Sequence, residues 1–223
     1  MSLLRSLAFY GVFYLGTGCL LLVAPFRGAK GMQQMASMWS ALHRWCMRHI
    51  LRIRIIQEGA PIEGPALYAI RHESFFEAID SASLFDAPVV FAKQELFDIP
   101  VWGSAALRYG NIPVARDQGA KGLRDLMKAA KAAKAEDRPF VIFPEGTRTP
   151  HGETGPIVSG FAGLYKLLDL PVVPVAVNSG PHYRSFVKTA GQITYRFGEP
   201  IPPGLSRGEV EARVREGIGA LDS

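Results

Sequence analysis

The sequence has little cysteine: Cys19 and Cys46 are the only two among 223 residues. Both lie in apolar or amphipathic segments, and no second Cys or His completes the spacing of a zinc site. We therefore interpret them as small packing residues. Neither a disulfide framework nor a metal site is predicted.

The chain also lacks a recognisable nucleic-acid-binding module, although its formal charge is +5 at pH 7. Its aromatic residues are not interleaved with basic ones, as stacking platforms for bases would be. No nucleic-acid partner is predicted. The positive charge favours an anionic lipid, or a phosphorylated or carrier-bound substrate. With no internal repeat, low-complexity tract or long linker, the length fits one domain with an appendage.

Charge is absent from Ser6 to Phe26, and most of this run is apolar. As a helix it would be roughly 30 Å long, about the thickness of a bilayer's hydrocarbon core. A second segment, Met32 to Ile50, has apolar residues at helical spacing and carries Trp39 and Trp45, which suit a lipid headgroup boundary. Residues 1–50 are therefore predicted to be membrane-associated helices, and residues 51–223 a separate domain.

Three interpretations of the N-terminal run compete. A signal peptide is disfavoured because the run is long and no small-residue cleavage site follows it. A core helix of a water-soluble domain is disfavoured by so long an uncharged run. Membrane insertion is favoured, as a spanning helix or as a shallow hairpin with the second segment. If the run spans, the larger number of Lys and Arg residues after it places the domain at the cytoplasmic face, in a bacterium that of the inner membrane.

From Leu51 onwards, short apolar strands alternate with helical segments. Strands are predicted at Leu51–Ile55, Ala66–Ile70, Val89–Ala92, Ile112–Val114, Phe140–Phe143, Val172–Val177 and Ile193–Phe197. Helices are predicted at about Glu77–Leu84, Pro100–Tyr109, Gly119–Lys134 and Gly208–Leu221. This alternation predicts an α/β fold with a mixed, largely parallel sheet flanked by helices.

The main candidate for chemistry is the pair His72 and Glu77. His72 follows a buried strand, at the edge where α/β sheets place their active sites. Glu77 begins the next helix, so a tight turn would bring its carboxylate to the ring. A carboxylate bonded to one ring nitrogen fixes the tautomer and leaves the other nitrogen as a general base.

Cationic side chains follow three other strands. These are Lys93, Arg116 and, in the run Phe143-Pro144-Glu145-Gly146-Thr147-Arg148, Arg148. Arg and Lys at a sheet edge suit a phosphate-bearing substrate, and a general base beside them suits transfer of a carbonyl group to a hydroxyl.

Each candidate also has a purely structural interpretation. Arg116 could pair with Asp117 or Glu145, Glu145 could cap a helix, and Lys93 could be a solvated strand end. The basic residues of the Gly119–Lys134 helix, at three- and four-residue spacing, form a solvated face that could also attract an acidic carrier protein or lipid. These residues are Lys121, Arg124, Lys128 and Lys131.

Four blocks in order resemble the lysophospholipid acyltransferases, specifically bacterial 1-acylglycerol-3-phosphate acyltransferases. They are a His followed five residues later by an acid, Gly-x-Ile-x-x-x-Arg at 110–116, Phe-Pro-Glu-Gly-Thr-Arg at 143–148, and a proline-bearing apolar strand at 172–177. The resemblance covers roughly residues 50 to 200. The third block is the specific one; the first and fourth are weak singly.

The resemblance implies that His72 and Glu77 are catalytic and that Lys93, Arg116, Glu145, Gly146, Thr147 and Arg148 bind substrate. His72 would deprotonate the sn-2 hydroxyl of a lysophosphatidate, which would attack a thioester on acyl-CoA or acyl carrier protein. No metal or other cofactor is implied, and amides near Gly146 would stabilise the oxyanion. Ser74 as a nucleophile is disfavoured because no Gly-x-Ser-x-Gly elbow surrounds it.

Two departures from the family pattern matter. Glu77 stands where the family usually has Asp, and Val158 and Ser159 stand where many relatives carry a basic residue before Gly160. The second departure keeps open another acceptor, such as a lyso-ornithine lipid or a different lysophospholipid. The first is the only support for a non-catalytic lipid-binding protein.

Overall fold

A seven-stranded sheet forms the centre of the protein in the computed structural model, which describes residues 1–115 and 119–222. Its strands are β1 (Ile53–Glu58), β2 (Leu67–Ile70), β3 (Val89–Lys93), β4 (Ile112–Val114), β5 (Phe140–Ile142), β6 (Val172–Val177) and β7 (Gly191–Phe197). Their spatial order is β1-β7-β6-β2-β5-β3-β4. All neighbours pair in parallel except β6 and β7, which are antiparallel. The predicted mixed, largely parallel sheet is confirmed.

Eight α-helices surround the sheet within the described residues. They are α1 (Ser2–Val23), α2 (Ala29–Cys46), α3 (Phe76–Leu84), α4 (Gln94–Phe97), α5 (Trp102–Tyr109), α6 (Gly119–Lys134), α7 (Ser159–Leu168) and α8 (Arg207–Ile218). A single 3₁₀ turn, Ala24–Phe26, follows α1, and π-helical turns occupy Met47–Leu51 and Gly180–Arg184.

Alternate residues of the strands pack in two separate hydrophobic cores, one on each face of the sheet. Leu67, Ala69 and Phe140 face one core, which also contains buried side chains of α6, α7 and α8. Tyr68 and Ile70 face the opposite core, which is shared with side chains of α1, α2 and α3. Period-2 alternation places successive side chains on opposite faces. The sheet therefore separates an α6–α7–α8 layer from the layer that bears the two N-terminal helices.

The first helix, α1, buries only a narrow strip, consisting of Ser6, Phe9 and Phe13. Among its exposed side chains, Leu4 is 72% and Leu15 71% accessible. By length and composition α1 is able to cross a membrane, whereas a core helix of a soluble protein would be mostly buried. This exposure removes the core-helix interpretation. The division of the chain at residue 50 stays a prediction.

Two helices were not predicted. The first is α4, a single turn; the second is α7, which contains Gly160 and Gly163, and glycine lowers helix propensity by about 1 kcal/mol per residue. Yet Phe161, Leu164, Tyr165 and Leu168 are buried at the spacing of one helical face. Burial of this face against the core outweighs the low propensity.

Candidate active site

The predicted pairing of His72 and Glu77 is present at the carboxyl edge of β2. His72 lies two residues beyond the end of the strand, and Glu77 lies in the first turn of α3. His72 Nδ1 and Glu77 Oε2 are 3.1 Å apart. A carboxylate only accepts hydrogen bonds, so Nδ1 carries the proton and Nε2 keeps its lone pair. The extra methylene of Glu77, relative to Asp, still lets the carboxylate reach the ring.

The surroundings hold both side chains in place. The His72 ring stacks on Phe143, with 4.2 Å between ring centroids, and its side chain keeps 16% of its surface exposed. Glu77 is fully buried, and its Oε2 also accepts a hydrogen bond from the Ser74 amide at 3.1 Å. The site thus consists of a fixed buried carboxylate and an imidazole that solvent or substrate can still reach.

Thr147 and Arg148, the last two residues of the third sequence block, are exposed. The Arg148 guanidinium carbon lies 4.1 Å from the centre of the Phe75 ring, a cation–π contact between the third and first sequence blocks. A hydrogen bond also joins the segment after the third block to the end of β2: the Thr149 amide donates to the His72 carbonyl at 2.8 Å. Arg148 is therefore held beside the residues that flank His72.

Gly146 has a φ of 69°, in the left-handed region that glycine adopts without strain. Its amide donates to the Phe143 carbonyl at 2.9 Å, closing a tight turn. The amides of Thr147 and Arg148 donate no hydrogen bond to any residue among 1–115 and 119–222. Those two amides, unlike that of Gly146, remain available as hydrogen-bond donors.

The Glu145 side chain is directed into the protein, unlike the exposed Thr147 and Arg148. It is 4% exposed, and its oxygens accept from the amides of Gly155 at 3.0 Å and His72 at 3.5 Å. Its Oε2 also lies 3.6 Å from Nε of the buried Arg71. These contacts brace the loop against β2. A direct contact between Glu145 and the substrate stays a prediction.

Arg71 is a fully buried cation directly before His72. Its Nη1 lies 3.2 Å from Asp222, its Nε 3.9 Å from Glu73, and its Nη2 donates to the carbonyls of Pro150 and Glu153. A buried guanidinium needs such partners to offset its desolvation. The Arg71 contacts with three carboxylates tie the first and third blocks to the C-terminal segment.

Glu73, His151 and Asp222 bring three potential metal ligands within 4.8 Å of one another. The arrangement is accounted for by protein contacts: Glu73 bonds to His151 Nδ1 at 2.9 Å and to the Gly180 amide at 2.7 Å. The Arg71 guanidinium already supplies a positive charge beside the carboxylates of Glu73 and Asp222. Burial raises the pKa of Glu73, while Gly180 and His151 oppose that rise.

Two residues of the site, Ser179 and Arg184, were not predicted from the sequence. Ser179 is fully buried, and its hydroxyl donates to Glu77 Oε1. Arg184 Nη1 donates to the carbonyls of Glu73 at 3.3 Å and Arg148 at 3.4 Å, which adds a cation beside Arg148. Both follow the buried strand β6, so the strand-end rule that selected His72 could have found Ser179.

Lys93 is exposed and ends β3, which β5 separates from β2. It therefore lies on the same edge of the sheet as His72, with no described contact between them. Arg116, the remaining predicted cation, falls outside the described residues.

A sequence model described as Acyltransferase matches residues 52–178. The chain is 28% identical, over 163 residues, to a protein of Pseudomonas aeruginosa named 1-acyl-sn-glycerol-3-phosphate acyltransferase. That match covers 72% of this chain and 63% of the relative. A protein of the same name from Helicobacter pylori is 31% identical over 137 residues, covering 60% of this chain and 57% of that protein. The chain thus spans less than two thirds of the length of these relatives.

The fold resembles the crystal structure of the 1-acyl-sn-glycerophosphate acyltransferase from Thermotoga maritima. The TM-score is 0.77 at 19% sequence identity, with 99% of this chain and 95% of that chain covered. At this identity the likeness concerns the fold, which includes the N-terminal helices.

Proposed function

The chain belongs to the acyltransferase family, and we propose that it moves a fatty acyl group from a thioester donor to the sn-2 hydroxyl of 1-acylglycerol-3-phosphate, giving phosphatidic acid for phospholipid synthesis. The observation that carries this proposal is the bond between His72 Nδ1 and Glu77 Oε2 at 3.1 Å, which leaves Nε2 as a base. The names of the two bacterial relatives support the choice of acceptor.

In the proposed reaction, His72 Nε2 removes the proton of the acceptor hydroxyl as its oxygen attacks the thioester carbonyl. The resulting imidazolium is stabilised by the carboxylate of Glu77. The tetrahedral oxyanion collapses, an ester forms, and the thiol leaves with the proton returned by His72. The free amides of Thr147 and Arg148 are suited to the oxyanion, since donors aimed at developing charge lower the barrier.

Direct transfer is favoured over a serine acyl-enzyme. The Ser74 hydroxyl is buried, lies 2.7 Å from Ser179 Oγ and accepts from the Phe76 amide at 3.1 Å. These contacts occupy the Ser74 hydroxyl, and its distance to the Glu77 carboxylate, 3.5 Å to Oε1, is long for proton transfer. The hydrogen bond between His72 and Glu77 likewise disfavours a non-catalytic lipid-binding role. The only support for that role was that Glu77 stands where the family usually has Asp.

Arg148 is proposed to bind the acceptor phosphate, with Arg184 next to it. Lys93, at the end of β3, and Arg116, which follows β4 in the sequence, are proposed to assist. Phosphate is bound most specifically by the planar donors of arginine. Thr147 is exposed beside Arg148 and is proposed to contact the same group. No metal and no further cofactor takes part in the proposal.

The membrane is the proposed location because the acceptor is a lipid and α1 exposes a long apolar surface. With the Lys and Arg residues that follow α1 taken as cytoplasmic, the active site would face the cytoplasm at the inner membrane. This position would give the site access to a lysolipid in the leaflet and to a donor in the cytoplasm.

A product analysis tests the proposal. Purified protein is incubated with labelled acyl-CoA, or with acyl carrier protein loaded with the same chain, and with a panel of lysolipids in vesicles. We expect labelled phosphatidic acid from lysophosphatidate. An acylated ornithine lipid or another phospholipid as the sole product would assign the same chemistry to a different acceptor. Release of free fatty acid alone would indicate a hydrolase and overturn the proposal.

A further inference from the structure

The catalytic carboxylate of Glu77 is held from both sides. Its Oε2 faces His72, and its Oε1 accepts a hydrogen bond from Ser179, which lies in the segment directly after β6. Ser179 has no exposed surface. The next nearest donor to Oε1 is the Ser74 hydroxyl, at 3.5 Å, which is long for an O–H···O bond.

The donor directions follow from the partners. The Phe76 amide can only donate, so the Ser74 hydroxyl oxygen accepts from it at 3.1 Å. The hydroxyl proton of Ser74 is then free for Ser179 Oγ, 2.7 Å away, and the proton of Ser179 goes to Glu77. A chain of donors thus ends on the carboxylate, and hydrogen bonds in such chains strengthen one another.

We propose that Ser179 is a positioning residue for acyl transfer, acting on His72 only through Glu77. This inference rests on the proposed function. A glutamate has one more rotatable bond than the aspartate usual in the family, so its carboxylate needs more restraint to stay aligned with the ring. Ser179 supplies this restraint by fixing Oε1, which leaves Oε2 directed at Nδ1.

The test compares Ser179→Ala with a matched control, Ser81→Ala. Ser81 is buried on α3, one turn after Glu77, and its hydroxyl donates to the Ala78 carbonyl and not to the Glu77 carboxylate. We expect Ser179→Ala to lower kcat about 10- to 100-fold with KM unchanged, because a bond to a charged group is lost. Ser81→Ala should stay within about twofold of wild type, and Ser179→Thr, which keeps the hydroxyl, should recover most of the rate.

A double-mutant comparison separates positioning from general damage. If Ser179 acts only through Glu77, adding Ser179→Ala to Glu77→Gln should cost less than about twofold further. If Ser179→Ala lowers kcat by the same about 10- to 100-fold in the Glu77→Gln background, the inference is overturned. A Ser179→Ala enzyme with the kcat of wild type would also overturn it. Either result leaves wild-type phosphatidate formation, and hence the proposed function, intact.

An independent observation concerns α6. Lys121, Arg124, Lys128 and Lys131 are all exposed, whereas the opposite face of the helix is buried. Within residues 1–115 and 119–222, none of the four belongs to an ion pair. The three- and four-residue spacing places them on one stripe of the helix.

The stripe faces away from the apolar N-terminal helix. α6 packs on the core at one face of the sheet, and α1 packs on the core at the other. Because α6 connects β4 to the parallel strand β5, it begins at the carboxyl edge of the sheet, where His72 lies. The first cations of the stripe, Lys121 and Arg124, are thus near this edge, and the whole stripe is across the sheet from α1, which suits a partner from the aqueous side better than a bilayer.

We infer that this stripe docks an acidic protein that carries the acyl thioester, a refinement that rests on the proposed function. Its charge complements an acidic protein surface, and its start near the edge that bears His72 would let a flexible thioester arm reach His72. Charge complementarity of this kind raises association rates and fixes orientation.

The test reverses two charges in the stripe, Arg124→Glu with Lys128→Glu. The control reverses two exposed arginines of α8, Arg213→Glu with Arg215→Glu, on the same side of the sheet. We expect kcat/KM with acyl carrier protein to fall at least about tenfold in the first variant only, with kcat/KM for acyl-CoA unchanged. Equal losses with both donors, no loss with either, or loss of binding to anionic vesicles would overturn the assignment. Wild-type phosphatidate formation from acyl-CoA would support the proposed function in every case.

Discussion

The contact between His72 and Glu77 depends on a few buried groups that are distant in sequence. β2 brings the ring to the edge of the sheet, α3 brings the carboxylate, and the segment after β6 brings Ser179. The first two were predicted, since each follows an apolar run within one short stretch. Ser179 was not: its place after β6 made it a candidate under the same rule, but its bond to Glu77, across 102 residues, depends on β6 pairing next to β2 and could not be predicted.

Arg148 and Phe75 give a prediction on acceptor binding. Arg148→Ala should raise the KM for lysophosphatidate about tenfold, because a charge-assisted bond to phosphate is removed. Phe75→Ala, which removes only the ring beneath the guanidinium, should raise KM by about two- to fivefold. Initial rates against lysophosphatidate concentration, with Arg213→Ala as a surface control, measure both. An unchanged KM in Arg148→Ala would remove Arg148 from this role.

The second N-terminal helix, α2, is connected through α3 to the carboxylate of Glu77. Arg44 of α2 forms two bonds with the buried Asp80 of α3, at 2.7 and 2.9 Å. His43 Nε2 lies 2.8 Å from the hydroxyl of Tyr183, in the π-helical turn that follows Ser179. Both elements that hold Glu77 are therefore fixed to α2. Amphipathic periodicity predicted α2, but these polar contacts on its buried face could not be predicted from spacing.

His43 predicts a dependence of stability on pH. Burial, together with Arg44 and Lys188, lowers its pKa from 6.5 to about 3, so the folded protein keeps it neutral. The unfolded chain binds a proton below about pH 6.5, and stability is therefore lost as pH falls from there. At pH 5 the loss from His43 is about 2 kcal/mol relative to pH 7.

Thermal unfolding in detergent at pH 7 and pH 5 measures this effect. His43→Gln keeps a polar partner for Tyr183 but does not titrate, so its melting temperature should fall less between the two pH values. Equal decreases in wild type and variant would show that His43 makes no such contribution.

The whole molecule has two different sides, separated by the sheet. One side carries α1 with its exposed apolar surface, and the other carries the cationic stripe of α6. Composition along the chain predicted both features, because each lies within one helix. Their opposition could not be predicted, since it depends on which face of the sheet each helix covers.

This arrangement predicts which surface binds lipid. Leu15→Asp, at a position 71% exposed on α1, should weaken partition into vesicles by more than about tenfold, because a charge in the bilayer costs about 2.5 to 3.5 kcal/mol. Leu123→Asp, on α6 and 45% exposed, is the matched control and should leave partition unchanged. Flotation with liposomes measures both. Equal partition of the two variants would argue against α1 as the lipid-binding surface.

The account depends most on His72 as the base, and the rate of labelled phosphatidate formation by His72→Ala in vesicles tests this directly. The rate should fall about 10²- to 10⁴-fold relative to wild type, while flotation with liposomes is unchanged. A variant that floats normally and retains more than about a tenth of the wild-type rate would contradict the account.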